Sequence, residues 1–198
     1  TTSRRVPPLR ESENIVVDVP LSRESISYSW LTPAWFEEGD AALDLAATWI
    51  YRRLAERLDP ESYRSISVGQ TSYGHSGRFT ISVRAEEDVD APSFLEEMDG
   101  AVRALQDAAL PQPDFEALLE SHRMTLQVTR DRPLSRASHL AGTGSTGRFW
   151  SVEENLERFG HLTADELRRV VQRWLPLDRR VRVHQNFFRF ANRDGNVR

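Results

Sequence analysis

Residues 24–54 read ESISYSWLTPAWFEEGDAALDLAATWIYRRL, and within them the periodicity of the apolar side chains changes once. Up to Leu31, Ile26, Tyr28 and Trp30 alternate with Ser25, Ser27 and Ser29. That is the two-residue repeat of a half-buried strand, large side chains inward and small hydroxyls outward. Thr32-Pro33 then blocks continuation. Asp40 stands ahead of Leu43, Ala47, Ile50, Leu54 and Leu58, which are spaced to cover one face of a long helix, so the aspartate reads as its N-cap. A strand that passes through a proline loop into a helix is the join around which the rest of the chain is read.

Upstream, Glu13 to Pro20 carries Ile15, Val17 and Val19 on one face, and Pro20 closes the segment because it has no ladder donor. Downstream, Ser65 to Thr71 and Arg78 to Arg84 flank SYGHSG, a β-hairpin in which Gly74 and Gly77 are expected to supply turn conformations. Asp90, with Pro92 in the first turn, opens a helix through Phe94, Met98, Val102 and Leu105; Pro111 and Pro113 separate it from one carrying Phe115, Leu118, Leu119 and Leu126. Ser151 with Glu154, and Thr163 with Glu166, fit the reciprocal capping box of two further helices, and Arg180 to Phe187 is the final strand. The expected order is β-β-α-β-β-α-α-α-α-α-β. Hairpin strands and a block of helices predict an α+β fold, an antiparallel sheet covered on one face by helices. Residues 1–12 read as a linker or frayed end, 13–187 as a single domain and 188–198 as a tail.

Composition narrows the function. The 198 residues fit one domain with one core, and no apolar run is long enough to span a membrane. A formal charge of −4 gives the chain no general attraction for nucleic acid or an anionic membrane. Cysteine is absent, which removes disulfides, thiolate nucleophiles and zinc-thiolate sites. All 26 basic residues are arginine, a habit of genome composition. The chain opens at Thr1 without a signal-like apolar region, so it is expected to be a piece of something longer. These features leave the compartment undecided; a soluble protein of bacterial cytoplasm or periplasm is the expectation.

Local chemistry is sparse. GTGSTG at Gly142 to Gly147 has the letters of a dinucleotide fingerprint, but a helix precedes it where a strand is required; it reads as a helix C-cap and loop. The histidines at 75, 122, 139, 161 and 184 form no H-x-x-E-H, no H-E-x-x-H and no pair three or four residues apart, so no local zinc site is written here. His122 shares a helical face with Leu118, Leu119 and Leu126 and reads as a core or boundary histidine. No serine sits in a G-x-S-x-G elbow. The arginines at 168, 169, 173, 179, 180 and 182 read as a solvated helix face and strand edge. No catalytic residue is assigned.

The succession of SISYSWLTPAW, DAALDLAATWIYRRL, GRFTISV, PDFEALLESHRMTLQVTRDRPLSRASHLA and LTADELRRVVQRWLPLDRRVRV resembles the C-terminal half-domain of insulinase/pitrilysin-type zinc peptidases, the family of the mitochondrial processing peptidase. The resemblance covers nearly the whole chain. It implies two similar halves facing each other as a clam shell, with zinc and its H-x-x-E-H in the companion half and no cofactor on this one. It also implies a peptide substrate, and a substrate-positioning arginine and tyrosine seven positions apart after the first helix. Tyr63 falls at the tyrosine position; Glu56 is seven residues earlier and Arg57 is one out of register. The companion would be part of the same polypeptide or a separate subunit, and a homodimer is compatible with the family. An inactive structural protein of the same fold, like the core subunits of respiratory complexes, is the alternative.

Overall fold

The computed structural model describes residues 9–19, 23–144 and 151–187. Among these residues there are five strands, β1 (Glu13–Val19), β2 (Ser25–Thr32), β3 (Tyr63–Ser72), β4 (Gly77–Ala85) and β5 (Val181–Phe187). Six helices accompany them: α1 (Asp40–Arg57), α2 (Leu95–Asp107), α3 (Gln112–Asp131), α4 (Pro133–Gly144), α5 (Val152–Gly160) and α6 (Ala164–Trp174). A single 3-10 turn, Ala91–Phe94, leads into α2. The order of elements is the expected one and the class is α+β.

The sheet departs from the expected all-antiparallel pairing. Its order is β1-β5-β2-β4-β3, with β1 parallel to β5 and the other three pairings antiparallel. The last strand inserts between the first two. A parallel pair needs a long crossover, and here nearly the whole chain between β1 and β5 supplies it. Hairpin logic, which works between neighbours in sequence, has no access to that pairing.

The core forms where the large side chains of β2 and β4 meet the helices. Ile26, Tyr28, Trp30, Phe79, Ile81 and Val83 are buried against Leu43, Ile50 and Leu54 of α1, Met98 and Leu105 of α2, and Leu167 and Val171 of α6. Trp49 is partly buried beside the same cluster. Polar groups on the aromatic residues find partners, as buried ones must. Trp30 Nε1 donates to the Pro176 carbonyl at 2.9 Å, and the Tyr28 hydroxyl donates to Asp99 Oδ1 at 2.7 Å. Arg180 also holds Asp99 at 2.7 Å while its guanidinium lies 4.0 Å over the Tyr28 ring, joining β2, α2 and the start of β5. Burial, then the bond to Asp99, push the Tyr28 hydroxyl pKa well above its ordinary value.

Several local expectations change in detail. Asp40 does not cap α1: Gly39 holds the cap position at φ 95°, and Asp40 is the first helical residue, its carboxylate turned inward. At α5 the reciprocal box forms, with the Glu154 N–H donating to Ser151 Oγ at 3.0 Å and the Ser151 N–H donating to Glu154 Oε2 at 2.8 Å. At α6 the Thr163 hydroxyl accepts the Glu166 N–H at 3.2 Å, without the return bond. Gly77 belongs to β4 rather than to a turn conformation. It is needed because a Cβ there would overlap the Pro33 carbonyl oxygen. α4 continues through Gly144, whereas the remainder of GTGSTG and the expected stop at Pro20 lie outside the described residues. Among the described residues, no helix is long and apolar enough to cross a membrane.

Candidate functional site

Alternation along β2 leaves a second face of the sheet away from the helices. Register carries that face across all five strands: Ile15 pairs with Val183, Val183 with Ser27, Ser27 with Ser82 and Ser82 with Ser67. The next row is Glu13, Val181, Ser29, Thr80 and Gly69. Side chains directly opposite each other lie on one side of a sheet, so these rows describe one surface. Its β2-β4-β3 portion carries small hydroxyls and a glycine, and its β5-β1 portion carries the aliphatic Ile15, Val181 and Val183 together with Glu13.

Ser27, Ser29, Thr80 and Ser82 are half-buried and Ser67 is exposed. Ser25, at one end of this face, is buried, and its Oγ donates to Gln185 Oε1 at 2.8 Å. Ile15 and Val17, which alternation in β1 places together, are 42% and 39% exposed on the same surface instead of facing the helices. Small hydroxyls offer donors and acceptors without projecting far, so this surface leaves room for close approach over β2, β4 and β3.

Tyr63 opens β3 at one end of the sheet and is half-buried against the core. Among the described residues its hydroxyl has no hydrogen-bond partner. Arg57 is the last residue of α1 and its guanidinium forms a fork with Glu97 of α2, Nε to Oε2 at 3.1 Å and Nη2 to Oε1 at 3.2 Å. Bonding to Glu97 raises the Arg57 pKa further above its already high value. The two residues therefore differ in readiness: Tyr63 offers an uncommitted hydroxyl, while Arg57 is oriented by Glu97 through Nε and Nη2 and keeps Nη1 for another acceptor.

The start of α1 gathers an acidic pair that sequence reading did not single out. Asp40 is buried and accepts hydrogen bonds from Arg158, from Ser72 and from the Phe36 N–H. Asp44, one turn on, is half-buried. Burial first, then the neighbouring Asp40 carboxylate, push its carboxyl up to about 7, against an opposing pull from Arg158. The His122 ring of α3 lies tilted against Phe159 with ring centres 4.3 Å apart, and burial, then Arg158, pull its pKa down to about 4. α1 itself contains no histidine, so its residues do not fit the two-imidazole zinc centre of H-x-x-E-H.

Of the other histidines, His75 is exposed near the hairpin tip, His161 is exposed after α5, and His184 lies in β5. The His139 side chain lies outside the described ones. A cavity of about 530 Å³ lies where the proline loop meets α6, lined by Trp30, Leu31, Pro33, Glu37 and Trp174 among others. No sequence motif announces it, because its walls are brought together only by the packing of α6 on the join.

No protein-family model matches the sequence, and no curated protein matches it. The fold, however, is shared with solved peptidase structures. A protease from Helicobacter pylori matches with a TM-score of 0.81 over 94% of this chain and 47% of its own, at 13% identity. A peptidase M16 inactive domain from Pseudomonas fluorescens matches with a TM-score of 0.74 over 92% of this chain and 45% of its own, at 14% identity. An inactive peptidase domain from Bordetella parapertussis, TM-score 0.71 and 16% identity, is covered over 97% of its length by 86% of this chain. The chain spans about half the length of the first two. It has the fold of an M16 peptidase half-domain.

Proposed function

We propose that this chain is the non-catalytic, substrate-positioning half of a zinc endopeptidase of the insulinase/pitrilysin type, closing a peptide chamber against a companion half that carries the zinc. The observation that carries the reading is a fold shared with M16 half-domains on a chain whose first helix, where a strand-loop-helix join delivers it, has no histidine. Zinc, when bound in the companion, would polarise the scissile carbonyl and activate water. This chain's contribution is shape and hydrogen bonding. The rows through Ser27 and Ser29 supply a chamber wall of small hydroxyls, limiting what fits beside a peptide held by its backbone. Tyr63 donates its free hydroxyl to the substrate backbone, and Arg57, oriented by Glu97, turns Nη1 towards substrate when the halves close.

The test uses the two halves reconstituted, with a quenched peptide substrate. Ser27→Trp is expected to lower kcat/KM strongly with little change in thermal melting, because the added ring fills the space over β2. Tyr63→Phe is expected to lower kcat/KM modestly, and Arg57→Ala to do the same with a small loss of stability from the lost Glu97 fork. Unchanged kinetics for all three variants in a correctly assembled complex would sink the reading in favour of a structural protein of the same fold. A companion half identified in the flanking or neighbouring coding sequence by its H-x-x-E-H supports it independently.

A further inference from the structure

We infer that Glu24, Asp90 and His184 form a site for a divalent cation of borderline character, such as zinc or manganese, on the helix side of the sheet. The three residues come from separate parts of the fold. Glu24 immediately precedes β2, Asp90 holds the N-cap position of the 3-10 turn after β4 without a side-chain cap bond, and His184 stands in β5 opposite Ile26. One donor atom from each lies within 4.8 Å of the other two. His184 Nε2 and Glu24 Oε2 are 3.3 Å apart. The two are hydrogen-bonded as they stand, and two ligands held about 2.0–2.2 Å from a tetrahedral ion stand roughly 3.4 Å from each other, so an ion can replace this contact with little movement of either side chain. Asp90 is exposed, and rotation of its side chain brings the third donor in.

Charge points the same way. Among the described residues, three other part-buried or buried carboxylates are matched by guanidinium groups: Glu86 by Arg23 and Arg64, Asp99 by Arg103 and Arg180, Asp40 by Arg158. Glu24 and Asp90 have no arginine partner among the described residues. The other group on Glu24 is the Ala91 N–H, 3.3 Å away. One imidazole and two carboxylates without a guanidinium concentrate acceptor atoms and negative charge at one point, and that donor set suits zinc or manganese, with water completing the shell. Such an ion would tie β5, the start of β2 and the turn into α2 together. It is separate from the peptide-facing surface, since His184 and Val183 alternate to opposite faces, and it does not depend on the function proposed above.

Titration calorimetry of the whole chain with zinc chloride, and separately with manganese chloride, is expected to show one ion per chain and a melting temperature that rises with ion concentration. Asp90→Asn and His184→Gln should each weaken binding by at least about tenfold and remove the ion-dependent rise in Tm. Asp90 is exposed, so its variant keeps the test valid even if replacing His184 disturbs β5. His75→Gln, at the exposed hairpin tip, should leave binding unchanged. Absence of binding to the wild-type chain, or binding that survives both Asp90→Asn and His184→Gln, overturns the proposal.

Discussion

The Asp40 carboxylate accepts a 2.7 Å hydrogen bond from Arg158 across 118 residues of chain, and only 1% of the Asp40 side chain reaches solvent. This pair fastens the first turn of α1 to α5. Arg158 also donates to Asn155 Oδ1 at 2.8 Å and lies 4.3 Å over the Phe36 ring, so its loss would strand a buried charge and open space at once. Arg158→Met is expected to cost about 3–5 kcal/mol, the usual penalty for breaking one side of a buried ion pair. The double variant with Asp40→Asn should cost less than the sum of the two single changes, because they share one interaction. Denaturant unfolding of the four proteins measures this; strict additivity would show that the pair is energetically uncoupled.

The neighbouring Asp44 and His122 predict opposing pH effects. The Asp44 pKa is raised from 3.8 to about 7, so the folded chain holds a proton there that the unfolded chain releases, and stability falls as pH rises from about 4 to about 7. The His122 pKa is lowered from 6.5 to about 4, so over roughly pH 4 to 6.5 the unfolded chain binds the extra proton and stability rises with pH. In the wild type the two slopes largely cancel between pH 4 and 6.5. Asp44→Asn should leave a rising stability across that range and stabilise the chain at pH 8 by on the order of 2 kcal/mol, allowing for the partial exposure of the residue. His122→Gln should leave a falling one. Melting temperatures at half-unit pH steps decide, and parallel profiles for all three proteins would reject the assignment.

Gly77→Ala should destabilise by about 1–3 kcal/mol, the range for forced overpacking. The added methyl overlaps the Pro33 carbonyl oxygen and stands 2.6 Å from Thr32 Oγ1, at the point where the hairpin base meets the proline loop. Backbone, not a flexible side-chain tip, must move. Gly100→Ala in α2, where nothing lies within 4 Å, is the matched control and should be neutral or slightly stabilising. Equal effects at the two positions would show that close approach is not what Gly77 provides.

Ile50→Ala and Phe79→Ala should each cost about 2–5 kcal/mol. Both side chains are fully buried in the cluster that joins α1 to β4, and Trp30 packs edge-on to Phe79 with ring centres 6.1 Å apart. Urea unfolding with an unchanged m-value checks the loss; a cost under about 0.5 kcal/mol at both sites would be incompatible with this core.

Local periodicity determined much of this molecule by itself. The alternation of Ile26, Tyr28 and Trp30 with serines, the helical spacing from Leu43 to Leu54 and the paired arms around SYGHSG each place side chains by bonds between near neighbours in the chain, so the order of elements and the buried face of β2 follow from the residues alone. What joins distant segments was decided only in the tertiary structure. The insertion of β5 between β1 and β2, which turns Ile15 and Val17 onto the open face, depends on a pairing between the two ends of the chain. The inward turn of Asp40 depends on Arg158, and the convergence of Glu24, Asp90 and His184 depends on three separate backbone paths meeting. An aspartate before a helix has two stable uses, capping its own N–H groups or meeting a buried guanidinium, and spacing describes only the first. The choice rests on which partner packing brings within hydrogen-bond reach, a property of the folded chain and not of any stretch within it.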